Sequence, residues 1–358
     1  MINKSLISTD LIRNEYTFGL MKKMLVLTIV LISACQPVQN QPSEQPANPE
    51  TYTIAFGSCN KEDLPQVMWQ DIINQDPDLW IWLGDNIYGD SEVIDTLRTK
   101  YQKVLKEPGY QQLKAKASVI GTWDDHDYGK NDGGYEFVSK EESQQAFLDF
   151  FDVPENDPRR TRKGVYSKYE VEVGTLKVKV LLLDSRYHRD TVDRVDGVYQ
   201  TNDSGTVLGA AQWNWLENEL TDSEADVHII GNGIQYLAQD HRFEKWANFP
   251  NERQKLLELI AKSQAKGVVL LSGDRHIAEV SEVQIERMDY PIRDITASGL
   301  THSYEKAGDE PNRHRVSPLI GMKNFGTITI SSAGTQALLE VQLKGLNDTT
   351  FYAAQWKY

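Results

Sequence analysis

From residue 51 onward the chain alternates short, β-branched and aromatic apolar runs with amphipathic stretches, the pattern of an α/β domain. "YTIAF" (52–56) reads as a strand, and Leu64, Val67, Met68 and Ile72 recur on one face of a helix after it. "LWIWL" (79–83) is apolar at every position, as a strand covered on both faces should be. "ASVIGTW" (117–123), "VHIIGN" (227–232) and "GVVLLSGDRH" (267–276) repeat that scheme. "KYEVEV" and "LKVKVLLLD" alternate around Gly174 as a hairpin, so the sheets are expected to be mixed. "FGTITISS", "ALLEVQL" and "TTFYAAQWKY" add three more strands at the C-terminal end.

The first fifty residues follow a different rule. Lys22 and Lys23 precede "MLVLTIVLISAC", an apolar run too short to span a bilayer as a mature helix. Its end, Ile32-Ser33-Ala34-Cys35, matches a lipobox, so residues 1–34 read as a signal peptide whose start lies at Met21 or further upstream, with Cys35 as the lipidated residue. Residues 35–50, rich in Gln and Pro with no apolar period, read as a tether, and 51–358 as the functional domain. The expected location is the cell envelope, on the periplasmic face of the outer membrane, with the membrane reached through the lipid alone. A buried N-terminal helix is the plainer alternative.

The formal net charge is −14, and removal of four basic and two acidic residues with the leader would leave −16. Such an acidic surface disfavours nucleic acid as a partner. The sequence does not fix the oligomeric state. The chain has two cysteines, and lipidation would take Cys35. Cys59 is then a lone thiol without a disulfide partner, either a small buried hydrophobe or a ligand.

Each apolar strand ends in polar residues: Gly57-Ser58-Cys59, Gly84-Asp85-Asn86-Ile87-Tyr88, "WDDHDYGKND", Asn232, and Asp274 with His276. Open α/β sheets bind ligands beyond the carboxyl ends of their strands. Side by side, those ends would bring together Cys59, Asp85, Tyr88, Asp125, His126, Asn232, Asp274 and His276. That is a metal-ligand inventory. Buried carboxylates without compensation protonate, and one or two multivalent cations remove the difficulty. Taken singly, each motif has a bland reading: Gly-Asp as a capped turn, Tyr88 as a core residue, His126 as a partner of Asp127.

Gly57-Ser58-Cys59, "GDNIYGD", "WDDHDYGKND", "LLLDSRYHR", "GNGIQY", "LSGDRH" and "ITASGLTHS" occur in this order. In that order the chain resembles the alkaline phosphatase D (PhoD-like) family of calcineurin-like metallophosphoesterases, over about residues 51–300. The resemblance implies a four-layer αββα sandwich with mixed sheets and a two-metal site at the strand ends. It implies that Asp85 bridges the metals, and that Tyr88, Cys59 and His276 bind Fe(III). Asp125, Asn232 and Asp274 would hold a second divalent ion (Ca, Mn or Zn). His126 would be the proton donor to the leaving group, oriented by Asp127. Arg186 would grip the phosphate or, as an equal alternative, pair with Asp184. Asn131 and Asp132 are the candidates for further calcium ligation. Some family members carry an additional β-rich domain before the catalytic one, for which the tether leaves no room.

The implied activity is metal-dependent hydrolysis of phosphodiesters, phosphomonoesters or both, by in-line attack of a metal-bound hydroxide on phosphorus. Two alternatives use the same residues: a phospholipid-headgroup diesterase, and a metal-binding lipoprotein without catalysis. The first would suit a membrane tether, but the sequence offers no long apolar groove or membrane-lying helix.

Overall fold

A computed structural model describes residues 50–334 and 336–358. The expected signal peptide and Cys35, with residues 35–49 of the tether, lie outside the described residues. β1 (Thr51–Gly57) leads through α1 (Trp69–Ile73) to β2 (Leu79–Leu83), and α2 (Ile94–Lys106) with α3 (Pro108–Lys114) leads on to β3 (Ser118–Thr122). The short α4 (Asp125–Tyr128) and α5 (Lys140–Phe150) precede the hairpin of β4 (Ser167–Val173) and β5 (Leu176–Leu182). A two-stranded excursion, β6 (Arg194–Val195) and β7 (Val198–Tyr199), comes before α6 (Gly209–Leu220) and β8 (Val227–Gly231). After α7 (Pro250–Ser263) come β9 (Val268–Ser272), β10 (Ala278–Val283) and β11 (Ile292–Ala297). The antiparallel β12 (Phe325–Ala333), β13 (Gln336–Lys344) and β14 (Thr350–Lys357) close the chain.

The strands form two six-stranded mixed sheets, in the orders β14-β13-β12-β1-β2-β3 and β10-β11-β9-β8-β5-β4. Side chains on a strand alternate between faces, and that alternation assigns the layers. Ile81 and Leu83 of β2 pack with Val180 of β5, Ile229 of β8 and Leu271 of β9 in one buried cluster between the sheets. Trp80 and Trp82 face the other way, against Leu97, Tyr101, Leu113 and Phe147 of the first helical layer. Leu181, Ile230, Val268 and Leu270 likewise meet Leu216, Leu220, Leu256 and Ile260 of α6 and α7. Three apolar interfaces separate four layers, so the expected αββα sandwich is what the chain forms. Every residue of β2, β8 and β9 is buried, which is why those strands read as unbroken apolar runs.

One element departs from expectation. The helix placed over Leu64–Ile72 is reduced to the five residues of α1, and Val67 is 41% exposed. Pro65 is the cause: its ring disfavours the helical conformation at Leu64 and it carries no N–H for a helical bond.

The topology sets the site. β1, β2 and β3 are parallel, as are β5, β8, β9 and β11. The carboxyl ends of both parallel groups emerge at one edge of the sandwich.

Candidate metal centre

Asp85 is the hub of that edge. It belongs to each of three groups whose ligand atoms lie within 4.8 Å of one another: Cys59, Asp85 and His276; Asp85, Asp125 and His126; and Asp85, Asp124, Asp125 and Asp274. Cys59 Sγ lies 3.5 Å from Asp85 Oδ2, and the Tyr88 hydroxyl donates to the same oxygen at 3.3 Å. Tyr88 Oη also lies 2.9 Å from His276 Nε2 and 3.1 Å from His302 Nε2. Asp85 Oδ1 is buried and has no hydrogen-bond partner among the described residues.

The backbone is strained to achieve this. Cys59, Asp85, Asp274 and His276 all have positive φ, between 50° and 64°. Asp and His are the side chains that enter that region most readily; for Cys59 it is a cost of about 1–3 kcal/mol that the surroundings must hold in place. Gly84 precedes Asp85 at φ +87°, and a Cβ there would stand 2.4 Å from Asp124 Cβ. A Cβ on Gly233 would meet Asp124 Oδ1 at 2.2 Å. Both turns are open to glycine alone because the aspartates crowd in so closely.

Electrostatics give the reason for a cation. Asp85, Asp124, Asp125 and Asp127 are all buried. Burial, with the charges of neighbouring carboxylates, pushes Asp85 and Asp124 well above the ordinary range although His126 and Arg186 pull them down. Desolvation and the charge of Asp125 carry Asp274 up to about 7. Burial and the charge of Asp85 raise the Cys59 thiol, and burial with Cys59 and Asp85 raises the Tyr88 phenol. Asp125 is the exception: His126, Arg186 and the Asp132 N–H, at 2.6 Å from its Oδ2, outweigh burial and hold it well below the usual value. Burial and nearby positive groups depress His276 to about 3 and His302 to about 4, so both rings are neutral, the form that ligates metal. Thiol, phenol and imidazole gather on Asp85 with His276, carboxylates on Asp85 with Asp125 and Asp274. The residues present fit a pair of cations sharing Asp85.

A sequence model of the PhoD-like phosphatases matches residues 54–317. The chain belongs to the PhoD-like phosphatase family. Alkaline phosphatase D of Bacillus subtilis (strain 168) is 23% identical over 294 residues, 67% of this chain and 48% of that protein. The chain thus spans about half the length of this curated relative. A solved structure described as that of PhoD superposes with a TM-score of 0.69 at 18% identity, over 87% of this chain and 70% of that one.

Within this PhoD-like frame, two expected partnerships change. Asp127 does not orient His126. Its Oδ1 accepts from the N–H of Asp124 at 2.7 Å and of Asp85 at 3.2 Å, and its Oδ2 from Asn86 Nδ2 at 2.6 Å, so it fixes the two loops to each other. The orienting carboxylate is Asp90, at 2.7 Å from His126 Nδ1. Among the described residues Arg186 pairs with Asp124 and Glu244 rather than with Asp184. It is fully buried, with Nε 2.5 Å from Asp124 and Nη1 2.7 Å from Glu244. Asp184 instead caps the backbone N–H groups of Arg186 and Tyr187. Asn232 sits at the end of β8 as expected, but its Oδ1 accepts from Ile234 N at 2.9 Å and Trp246 Nε1 at 3.3 Å. Asn131 and Asp132 bond to each other at 2.6 Å beside Asp125.

Asp90, Asp124, Glu244 and His302 went unassigned in the sequence. His302 stands in the quoted "ITASGLTHS", Asp90 in "GDNIYGD" and Asp124 in "WDDHDYGKND", so each had a signal; Glu244 had none beyond its charge.

The burial of Arg186 makes a prediction. Arg186→Met leaves Asp124 without its cation and Glu244 with Arg189 alone, and costs about 3–5 kcal/mol in urea unfolding. Asp124→Asn in the same chain recovers part of that loss. Unchanged stability with a raised KM would instead restore Arg186 to the substrate.

Proposed function

We propose that the chain is a metal-dependent phosphoesterase that hydrolyses phosphodiesters, phosphomonoesters or both. The observation that carries this reading is Asp85, a buried carboxylate with one oxygen unpartnered, common to three convergent ligand groups in a PhoD-like chain. Two bound cations supply a nucleophile at neutral pH and stabilise charge on both the attacking and leaving oxygens of an in-line displacement.

Cys59, Tyr88, Asp85 and His276 would hold one ion. Asp85, Asp125 and Asp274 would hold the other, with His302 beside the first set and Asp124 beside the second. The rest of the chemistry belongs to His126. Its ring stacks on Tyr88, with centroids 4.0 Å apart and an interplanar angle of 29°, and so lies over the ligand cluster. Burial alone would push this imidazole down; the charges of Asp85 and Asp125 and the bond to Asp90 carry it up to about 11. The bond to Asp90 favours the protonated ring, the state a general acid needs before it gives its proton to the departing oxygen. Asp90 on Nδ1 leaves Nε2 as the donating nitrogen.

His126→Ala should lower turnover about 10²- to 10⁴-fold while metal content stays near that of the unsubstituted protein. The loss should shrink for nitrophenyl esters, whose leaving group needs no proton. An equal loss across leaving groups would remove His126 from the acid role.

The donor types also favour a ferric ion in the Cys59–Tyr88 set and an oxygen-preferring divalent ion in the carboxylate set. Thiolate and phenolate on Fe(III) give a visible charge-transfer band. Cys59→Ser and Tyr88→Phe should each shift or bleach it in iron-loaded protein, Cys59→Ser more. A colourless, iron-replete and active protein would contradict this choice of metal.

A further inference from the structure

The pocket that opens over the ligand cluster has a volume of about 390 Å³, within the ~300–1,000 Å³ typical of sites that enclose a small organic ligand. Asp125, His126, Asp274 and His276 line it, and so do Arg194 and Arg242. The other arginines around the site are committed to carboxylates: Arg186 and Arg189 to Glu244, Arg275 to Glu310. Arg194 and Arg242 are not. Among the described residues neither has an acidic group within ion-pair distance, in a chain with 52 acidic and 38 basic residues. Asp132 also lines the pocket, but its carboxylate is engaged by the amide of Asn131.

These two guanidinium groups are placed on aromatic supports. Arg194 lies over the ring of Tyr199, 5.1 Å from its centroid, and Arg242 over that of Phe243, at 5.2 Å. The backbone ties their segments together. Tyr199 N–H donates to the Arg242 carbonyl at 3.1 Å, Asn202 N–H donates to the Asn248 carbonyl at 2.7 Å, and Asn248 Nδ2 reaches the Gln200 carbonyl at 2.9 Å. The hairpin of β6 and β7 is thereby held against residues 242–248, with both cations at one pocket. A guanidinium presents a planar fork of donors that matches phosphate or carboxylate. Cations left unpaired in so acidic a chain are available for a ligand that brings its own negative charge.

We propose that Arg194 and Arg242 form a second anion subsite, so that the favoured ester carries a further phosphate or carboxylate on the group attached beyond the scissile phosphate. The inference rests on the phosphoesterase reading above and specifies its substrate class. It predicts a preference that depends on charge at a distance from the reacting phosphorus and that bears on binding more than on turnover.

Two diesters with one leaving group test it: bis(4-nitrophenyl) phosphate, and the mixed diester of 4-nitrophenol and 4-carboxyphenol. Nitrophenolate release gives kcat/KM for each on metal-loaded protein. The expected result is a preference for the carboxylated diester of about tenfold or more, which falls toward one in the Arg194→Gln/Arg242→Gln variant, mainly through KM. Calorimetric binding of phenylphosphonate and 4-carboxyphenylphosphonate, which are not hydrolysed, gives the same comparison without turnover. A preference that survives in the double variant, or its absence from the unsubstituted protein in both assays, overturns the subsite while hydrolysis stands. If neither diester is hydrolysed but the carboxylated phosphonate still binds more tightly through the two arginines, the subsite is upheld and the esterase reading fails.

Discussion

Carboxylates withdrawn from water at the ends of two packed sheets are the constraint on which the rest of this structure depends. Asp85, Asp124, Asp125 and Asp127 are buried, and the protein supplies two distinct answers to their charge. Asp124 is met by Arg186, itself fully buried and shared with Glu244. Asp127 is spent on backbone and amide N–H groups. Asp85 Oδ1 has no hydrogen-bond partner among the described residues, the thiol and phenol at Oδ2 offer no positive charge, and the nearby His126 only partly offsets its burial. A buried carboxylate in that position protonates or binds a cation, and the neutral imidazoles and further carboxylates around it favour the cation.

The sandwich makes this concentration of charge tolerable. Three apolar clusters lock the parallel strands in place, and the loops that leave their ends are pinned to one another by Asp127, Asn60 and the crowding around Gly84 and Gly233. The left-handed conformation of Cys59 shows the result: the scaffold holds unfavourable backbone so that its thiol meets Asp85 beside the imidazole of His276. His126 is built into the same arrangement, stacked on Tyr88 and steadied from behind by Asp90.

Much of this was legible in the residues because burial on both faces leaves an unbroken apolar run, as in "LWIWL" and "VVLLS", and each run ends where polar chemistry begins. The strand ends therefore located Cys59, Asp85, Tyr88, Asp125, Asp274 and His276 at one place. What the sequence hid was partnership. Asp127 sits next to His126 in the chain yet faces the other way, because a residue one position along α4 points to a different side. Asp90, 36 residues earlier, takes its place. Arg186 was visible as a cation at a strand end, but its enclosure depends on Asp124 and Glu244, separated from it by 62 and 58 residues. Pairing over such distances leaves no local trace.

The central claim is that Asp85 is shared between two bound cations. Its most direct test is the metal content per chain, by elemental analysis after saturation with ferric and divalent ions and removal of the excess, in the unsubstituted protein and in Asp85→Ala. Two ions per folded chain are predicted for the former. Asp85→Ala should keep its circular dichroism spectrum and lose both ions together, since a shared ligand serves both. Retention of two ions by Asp85→Ala, or an unsubstituted protein that binds fewer than two, would contradict the account.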